Sequence, residues 1–155
     1  MGTPYFTRIT LLIGNLLKQG ISPEKISASI AWGIVLGIFP LPGTTTMLCT
    51  IAALSLRLNL IVIQLVNWLV YPLQLALIVP FFLTGAALFG TESLAVDAQE
   101  IMILVKADFI QAFELLGAVI FHGVLAWLII SPVLLLAFMY FLPPVLRRIP
   151  ARSIQ

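Results

Sequence analysis

The chain has 155 residues, of which 61% are hydrophobic and only 9% are charged, against roughly 25% charged residues in an ordinary soluble domain. Disorder is excluded, because disordered chains have low hydrophobicity. The net charge of +2 is too small to indicate a nucleic-acid partner. This composition predicts an all-α integral membrane protein with a single membrane domain over residues 1–155.

Residues 1–19 are predicted to form an amphipathic N-terminal helix. One side of it is polar and carries Arg8 and Lys18, while the rest is largely apolar. Two interpretations stay open. Either this helix lies on the membrane surface, as basic amphipathic helices do, or it packs on the rest of the domain.

Three stretches of the chain carry no formal charge, namely residues 26–56, 58–91 and 115–146. Each would be about 46 to 51 Å long as one straight helix, whereas the hydrocarbon core of a bilayer is about 30 Å thick. Each stretch also contains proline, which interrupts helices. We therefore predict a broken or re-entrant helical hairpin over 22–57 and kinked transmembrane helices over 58–91 and 115–146.

The first arm of this hairpin has a clear predicted beginning. Ser22 is a favourable N-cap, Pro23 suits the first helical position, and Glu24 favours the positive end of the helix dipole. Small residues follow at four-residue spacing, at Ser29, Gly33 and Gly37. Small residues at this spacing predict the close approach of another helix.

The centre of the hairpin is a predicted helix break at Pro40 and Pro42. The threonines that follow can cap a second helix that runs to about Leu56. Its N-terminus would point into the membrane and could hold an anionic group there. The alternative is a tight turn without a ligand. Arg57 is predicted either to reach the membrane interface or to assist the ligand. The candidate anion-binding residues are Gly43, Thr44, Thr45, Thr46 and Arg57.

A polar stripe follows in the stretch 58–91, with Pro72 as a third helix break. Its members are three or four residues apart and share one helical face: Gln64, Asn67, Tyr71 and Gln74. Polar side chains in a membrane span usually face protein or a water-filled cavity. The stripe therefore predicts either hydrogen bonds between helices or a path for a substrate.

The second half of the chain begins with an acidic segment. Residues 92–114 carry five carboxylates and are predicted to form an amphipathic surface helix, since such faces are usually solvated. The span 115–146 follows, with Pro132 as a kink and Pro143-Pro144 as its stop. His122 is its one ionisable residue, for which we predict hydrogen-bonded packing. A basic tail, 147–155, ends the chain.

Lys and Arg residues cluster at both ends of the chain. By the positive-inside rule, both termini and Arg57 are predicted to be cytoplasmic in a multi-pass topology. The sequence contains no zinc-binding, nucleophile-elbow or phosphate-loop motif, and Cys49 is its single cysteine. We therefore expect no enzyme activity, no catalytic residue, no metal and no cofactor.

Several segments together resemble a known bacterial family. They are Gly20–Lys25, Gly33–Gly43, Leu56–Asn59, Asn67 and Pro72, and their ordered combination is similar to the membrane domain of unknown function 2062. The resemblance implies a protein of the bacterial inner (cytoplasmic) membrane. Members of this family are sometimes joined to glycosyltransferase domains, which implies a context of envelope glycan or lipid pathways.

We expect a small transporter or lipid-handling protein that works as a homo-oligomer and contacts membrane lipids. The expectation depends on the helix break and the polar stripe. A polyprenyl phosphate or another phospholipid headgroup is the expected ligand, chiefly from the family context. The alternative is a scaffold without transport activity that anchors an envelope glycosyltransferase.

Overall fold

The computed structural model describes residues 22–89 and 109–147, with side chains from residue 117 onward in the second range. These residues form five α-helices and no β-strand, which confirms the predicted all-helical class for this part of the chain. The helices are α1 (Pro23–Gly37), α2 (Thr45–Ser55), α3 (Leu60–Leu69), α4 (Tyr71–Phe89) and α5 (Phe109–Arg147). The predicted helix over 1–19, residues 92–108 of the acidic segment and residues 148–155 of the tail lie outside the described residues.

Helix α1 is the central helix of the fold. It begins as predicted, with Pro23 in the first turn and the Ser22 hydroxyl accepting a hydrogen bond from the Lys25 N–H at 3.3 Å. It packs against α2, α3 and α5, which buries Ile26, Ala31 and Val35 almost completely. The hairpin arm predicted from the charge pattern is thus the core of the domain.

Helix α3 crosses α1 at the predicted small residues. A Cβ atom on Gly33 would lie 2.9 Å from both the Ile63 carbonyl oxygen and the Val66 Cβ, and one on Gly37 would collide with Val70. One turn earlier, the Ser29 hydroxyl accepts a hydrogen bond from the Asn59 N–H at 2.9 Å. The spacing of small residues therefore serves a close helix crossing, as predicted.

The end of α1 follows from Pro40, which has no N–H to donate to the last turn. The Leu36 carbonyl instead accepts from the Phe39 N–H at 3.2 Å. The Val35 carbonyl accepts from the indole Nε1–H of Trp127 on α5 at 3.0 Å. A side chain 92 residues away in sequence thus satisfies a carbonyl at the end of α1.

The turn between α2 and α3 is held by backbone geometry and by a side-chain cap. Arg57 has a φ of +53°, and the Leu58 N–H donates to the Ala53 carbonyl at 2.9 Å, which is the Schellman arrangement. The Asn59 carboxamide then caps α3 by accepting from the Ile61 and Val62 N–H groups, both at 3.1 Å. Arg57 is therefore part of a helix end.

The predicted span 58–91 consists of two helices, α3 and α4, separated at Val70. Pro72 is the second residue of α4, where its missing N–H removes no intrahelical bond, so the interruption precedes it. Helix α5, in contrast, continues through Pro132 and the predicted stop at Pro143-Pro144 to Arg147. A helical φ suits proline, so each one removes a hydrogen bond without necessarily ending the helix.

Within the described ranges, two segments are long and apolar enough to cross a membrane. They are Tyr71–Phe89, with a mean hydropathy of 1.9, and Gly117–Arg147, with a mean hydropathy of 2.4. Only 22% and 17% of their most apolar windows are buried within the protein. The core helices of a soluble protein would be mostly buried, so these two present their apolar surface outward.

Candidate functional site

The seven residues between α1 and α2 turn the chain and start a new helix. Gly43 has a φ of +90°, a conformation that side chains other than glycine rarely adopt. Thr44 is the N-cap of α2, but its hydroxyl donates to the Leu41 carbonyl at 2.9 Å and does not cap the helix. The N-terminus of α2 thus lacks a side-chain cap from Thr44, unlike the N-terminus of α3, which Asn59 caps.

A cavity of about 300 Å³ lies at this N-terminus. Its described lining is uncharged and comes from the break, α2, α3 and the start of α4: Gly43, Thr45, Thr46, Asn67, Trp68 and Tyr71. Thr45 and Asn67 are only 5% and 4% exposed, whereas Trp68 is 73% exposed. The cavity therefore has a polar, buried inner part and an aromatic rim.

Hydrogen bonds between α2 and α3 fix the polar wall of the cavity. The Gln64 Nε2 donates to the Thr46 carbonyl at 3.0 Å and to the Thr50 hydroxyl at 2.9 Å. The Asn67 Nδ2 lies 3.5 Å from the Thr46 hydroxyl and 3.4 Å from the Gln64 Oε1. Gln64 thus links α2 and α3 through hydrogen bonds, and Asn67 is part of the cavity lining.

Gln74 holds the break from the α4 side. Its Nε2 donates to the Phe39 carbonyl at 2.7 Å, and the residue is only 1% exposed. Its Oε1 is buried and has no hydrogen-bond partner among the residues that the structure describes. Phe39 also packs edge-on against Trp127, with ring centroids 4.9 Å apart. Two distant helices therefore fix the residue that precedes Pro40.

The structure gathers five of the predicted residues around the cavity: Gly43, Thr45, Thr46, Asn67 and Tyr71. Gln64 and Gln74 are instead hydrogen-bonded to the residues around the cavity, Gln64 to Thr46 and Gln74 to Phe39. Thr44 is part of the turn between α1 and α2. Arg57 lies beyond the other end of α2, and the eleven residues of this helix separate it from the cavity by about 16 Å. The structure therefore does not bring Arg57 to the cavity, and its other predicted role, at the membrane interface, stays a prediction.

Two residues of this region carry no prediction from the sequence. Trp68 follows Asn67 directly and lines the cavity, so the stripe itself was a signal for it. Trp127 fixes the end of α1 through a contact across 92 positions, and no local pattern indicates such a contact.

His122 lies apart from the cavity, where α4 crosses α5. Its ring stacks on Phe89 with centroids 5.5 Å apart, and its backbone approaches Gly85 closely enough that a Cβ there would collide with it. Its Nδ1 is buried, and no described residue forms a hydrogen bond with it. The packing role is as predicted, but this nitrogen makes no hydrogen bond within the described part of the chain.

The contacts along the helices show at what level the cavity lies. Glu24 and Arg147 form an ion pair of 2.6 Å at one end of the fold. Along α1, Val35 is about 17 Å from Glu24, and along α5, Trp127 is about 30 Å from Arg147. Val35 and Trp127 are hydrogen-bonded to each other. Beyond Gln74, α4 continues for about another 22 Å to Phe89. The break therefore lies between the charged end of the fold and the Phe89 end of α4.

These features define a small all-helical protein with two long, outwardly apolar helices and a polar cavity at a helix break. The sequence matches the family described as "Uncharacterized protein conserved in bacteria (DUF2062)" over residues 8–153. The chain belongs to this family, which confirms the resemblance drawn from the sequence. Neither the curated proteins nor the solved structures gave a match to the chain.

Proposed function

We propose that this chain is an integral protein of the bacterial inner membrane that binds the anionic headgroup of a lipid at its helix break. Its outer surface supports the membrane placement, because large apolar side chains are widely exposed. They include Val133, Leu136 and Tyr140 on α5, which are 68%, 69% and 77% exposed. Water disfavours a surface of this kind and lipid does not.

The same placement makes 22–57 a re-entrant hairpin. The charged ends of α1 and α5 meet at Glu24 and Arg147, and the Asn59–Ser29 hydrogen bond brings Arg57 to the same end. This end carries the basic residues, so it lies on the cytoplasmic side. The break is then about 17 to 30 Å from that surface, inside a membrane whose total thickness is about 40 to 45 Å.

The chemistry of the cavity suits an anion. A helix N-terminus carries a positive partial charge and N–H groups that bind phosphates and carboxylates. At α2 the N-cap side chain does not neutralise this end, and the hydroxyl groups of Thr45 and Thr46 lie beside it. This open helix end, which faces a polar cavity at mid-depth, is the observation that carries the proposal.

The size of the cavity favours a headgroup over a whole lipid. A volume of about 300 Å³ is at the lower limit for small-molecule pockets. The exposed Trp68 at its rim leaves the cavity open toward the apolar surface. A phosphate-bearing headgroup therefore enters from the side while its chains stay in the bilayer. The protein would move such lipids between the leaflets or present them to another protein.

Lipid retention tests this proposal. The protein is reconstituted in nanodiscs of phosphatidylcholine and phosphatidylglycerol, and native mass spectrometry counts the phosphatidylglycerol that it keeps. Thr45→Val and Asn67→Leu remove polar groups of the cavity, so each should lower retention about tenfold, since a hydrogen bond to a charged group contributes about 1.5 kcal/mol or more. Thr84→Val on α4, outside the cavity lining, should change nothing.

A fluorescent phosphatidylglycerol in proteoliposomes separates binding from transport. We expect the wild type to accelerate its movement between leaflets and the two cavity variants to lose this effect. Retention that is equal in wild type, Thr45→Val and Asn67→Leu would contradict the site. Retention without movement would leave binding in place and favour the scaffold alternative.

A further inference from the structure

The hairpin tip presents polar backbone on the outside of the protein. Pro42, Gly43, Thr44 and Thr46 are all exposed, although the break lies near mid-depth in the proposed placement. Irregular backbone at this depth occurs only where protein or a water-filled cavity covers it, because lipid chains offer no hydrogen bonds. Gly43 and Thr46 line the cavity, whereas Pro42 and Thr44 are not part of its described lining, so this part of the tip requires a cover that lipid does not provide.

Two apolar stripes flank the tip. Helix α2 exposes three residues spaced by four and three positions, and α3 exposes two that are four positions apart: Met47, Ile51 and Leu54; Ile61 and Leu65. They lie away from the sides that bury Cys49 and Ile63 against the core. We call the tip and these stripes together the hairpin face. Its helices span only about 16 and 15 Å.

Two segments outside the described residues carry charges, which an apolar face inside a bilayer disfavours. Residues 90–108 carry Glu92, Asp97, Glu100, Lys106 and Asp108 and begin after Phe89, about 22 Å along α4 from the break. Residues 1–21 carry Arg8 and Lys18 and join α1 at its charged end. A charge placed at the centre of a bilayer costs at least about 2.5 kcal/mol.

We infer that the hairpin face docks against the same face of a second copy of this chain. A two-fold interface brings a surface against itself, so a charged surface would repel its own copy. The hairpin face has no charged residue between Pro42 and Leu54 or between Leu60 and Leu69. Contact between two tips would cover the exposed backbone. This inference depends on the membrane placement in the proposed function and not on ligand binding.

Site-directed cross-linking of the purified protein in nanodiscs of phosphatidylcholine tests the inference. Met47→Cys places a thiol on the hairpin face and Val133→Cys places one on α5, at nearly equal exposures of 67% and 68%. Cys49 is fully buried, so the wild type serves as the blank. A short membrane-permeant bismaleimide should link Met47→Cys into dimers at least fivefold more than Val133→Cys.

Subunit counting by single-molecule photobleaching in dilute proteoliposomes gives a second, independent result, for which we expect two steps. One step at all protein densities, or cross-linking of Val133→Cys equal to that of Met47→Cys, would overturn the inference. Both readouts use membranes without an anionic lipid. Loss of phosphatidylglycerol retention would therefore contradict the proposed site and leave the dimer intact. A monomer that retains phosphatidylglycerol would contradict the dimer and leave the proposed site intact.

Discussion

Where α4 crosses α5, the helices meet through small residues and van der Waals contact. A Cβ on Gly85 would collide with the His122 backbone, and one on Gly123 would collide with the Phe82 ring. Around the helix break, contact is made by polar side chains that reach backbone carbonyls, such as Gln64 to Thr46, Gln74 to Phe39 and Trp127 to Val35.

The two regions face different demands. A continuous helix satisfies its own backbone and needs only a close-fitting neighbour in a membrane. A broken helix leaves carbonyl and N–H groups that other parts of the protein must satisfy. The carbonyls before the break are satisfied by distant side chains, while the α2 N-terminus after it opens to the cavity. This difference indicates where a ligand can replace a protein partner.

The largest effect is expected at the α4–α5 crossing. Gly85→Ala should lower the free energy of unfolding by about 3 kcal/mol, because the added methyl group meets backbone and the helices must separate. Gly117→Ala on α5 is the matched control, since none of the described residues lies within 4 Å of its added Cβ. Equilibrium unfolding in detergent micelles checks both. Equal losses would show that the crossing is not sterically limited.

The next effect is expected at the end of α1. Trp127→Phe keeps an aromatic ring beside Phe39 but removes the N–H that the Val35 carbonyl accepts. A buried carbonyl without a partner costs about 1 to 3 kcal/mol, so unfolding should become easier by that amount. Trp68→Phe, at an exposed position, should change stability little. Equal stability of the two variants would show that the hydrogen bond from Trp127 to the Val35 carbonyl does not stabilise the fold.

A smaller difference is expected between the two helix N-termini. Asn59→Ala removes a cap with two hydrogen bonds and should cost about 1 kcal/mol. Thr44→Ala removes a hydroxyl that does not cap α2 and should cost less than half as much. Thermal unfolding of both variants measures the contrast. A greater loss for Thr44→Ala would mean that α2 is capped after all.

The smallest effect concerns the exposed ion pair. The hydrogen bond from Arg147 lowers the pKa of Glu24 below its usual value of 4.5. The pair therefore stabilises the fold above the unfolded-state pKa, and this contribution is lost as the pH falls through the lower folded-state value. Arg147→Gln should abolish that part of the pH dependence between about pH 5 and pH 3. An unchanged acid transition would show that the ion pair does not contribute to this pH dependence.

The sequence allowed the helical class, the start of α1, its crossing with α3 and the position of the break to be predicted. Those features depend on local signals: Ser22-Pro23, the spacing of Ser29, Gly33 and Gly37, and the prolines at 40 and 42. The division at Val70 and the continuation of α5 through Pro143 depend on how each helix packs. Proline alone does not determine them.

The part of the candidate site that is made by residues close together in the sequence could be predicted. Asn67 and Tyr71 share one stripe, and the threonines follow a proline-rich break. Arg57 lies apart from them, because the eleven residues of α2 carry it along the helix axis to the other end of the hairpin. The supporting contacts of Gln74 and Trp127 join residues 35 and 92 positions apart, and a single sequence does not show such pairings.

The proposed placement puts the helix break within the hydrocarbon core, and a depth measurement tests this placement. A spin label at Leu73→Cys, next to Gln74, reports the level of the break from an exposed position on α4. A label at Val145→Cys, near Arg147, reports the charged end. Power saturation with oxygen and a nickel chelate in liposomes should place the first label in the middle third of the core, which is about 30 Å thick, and the second near the headgroups. Equal, shallow depths would contradict the account.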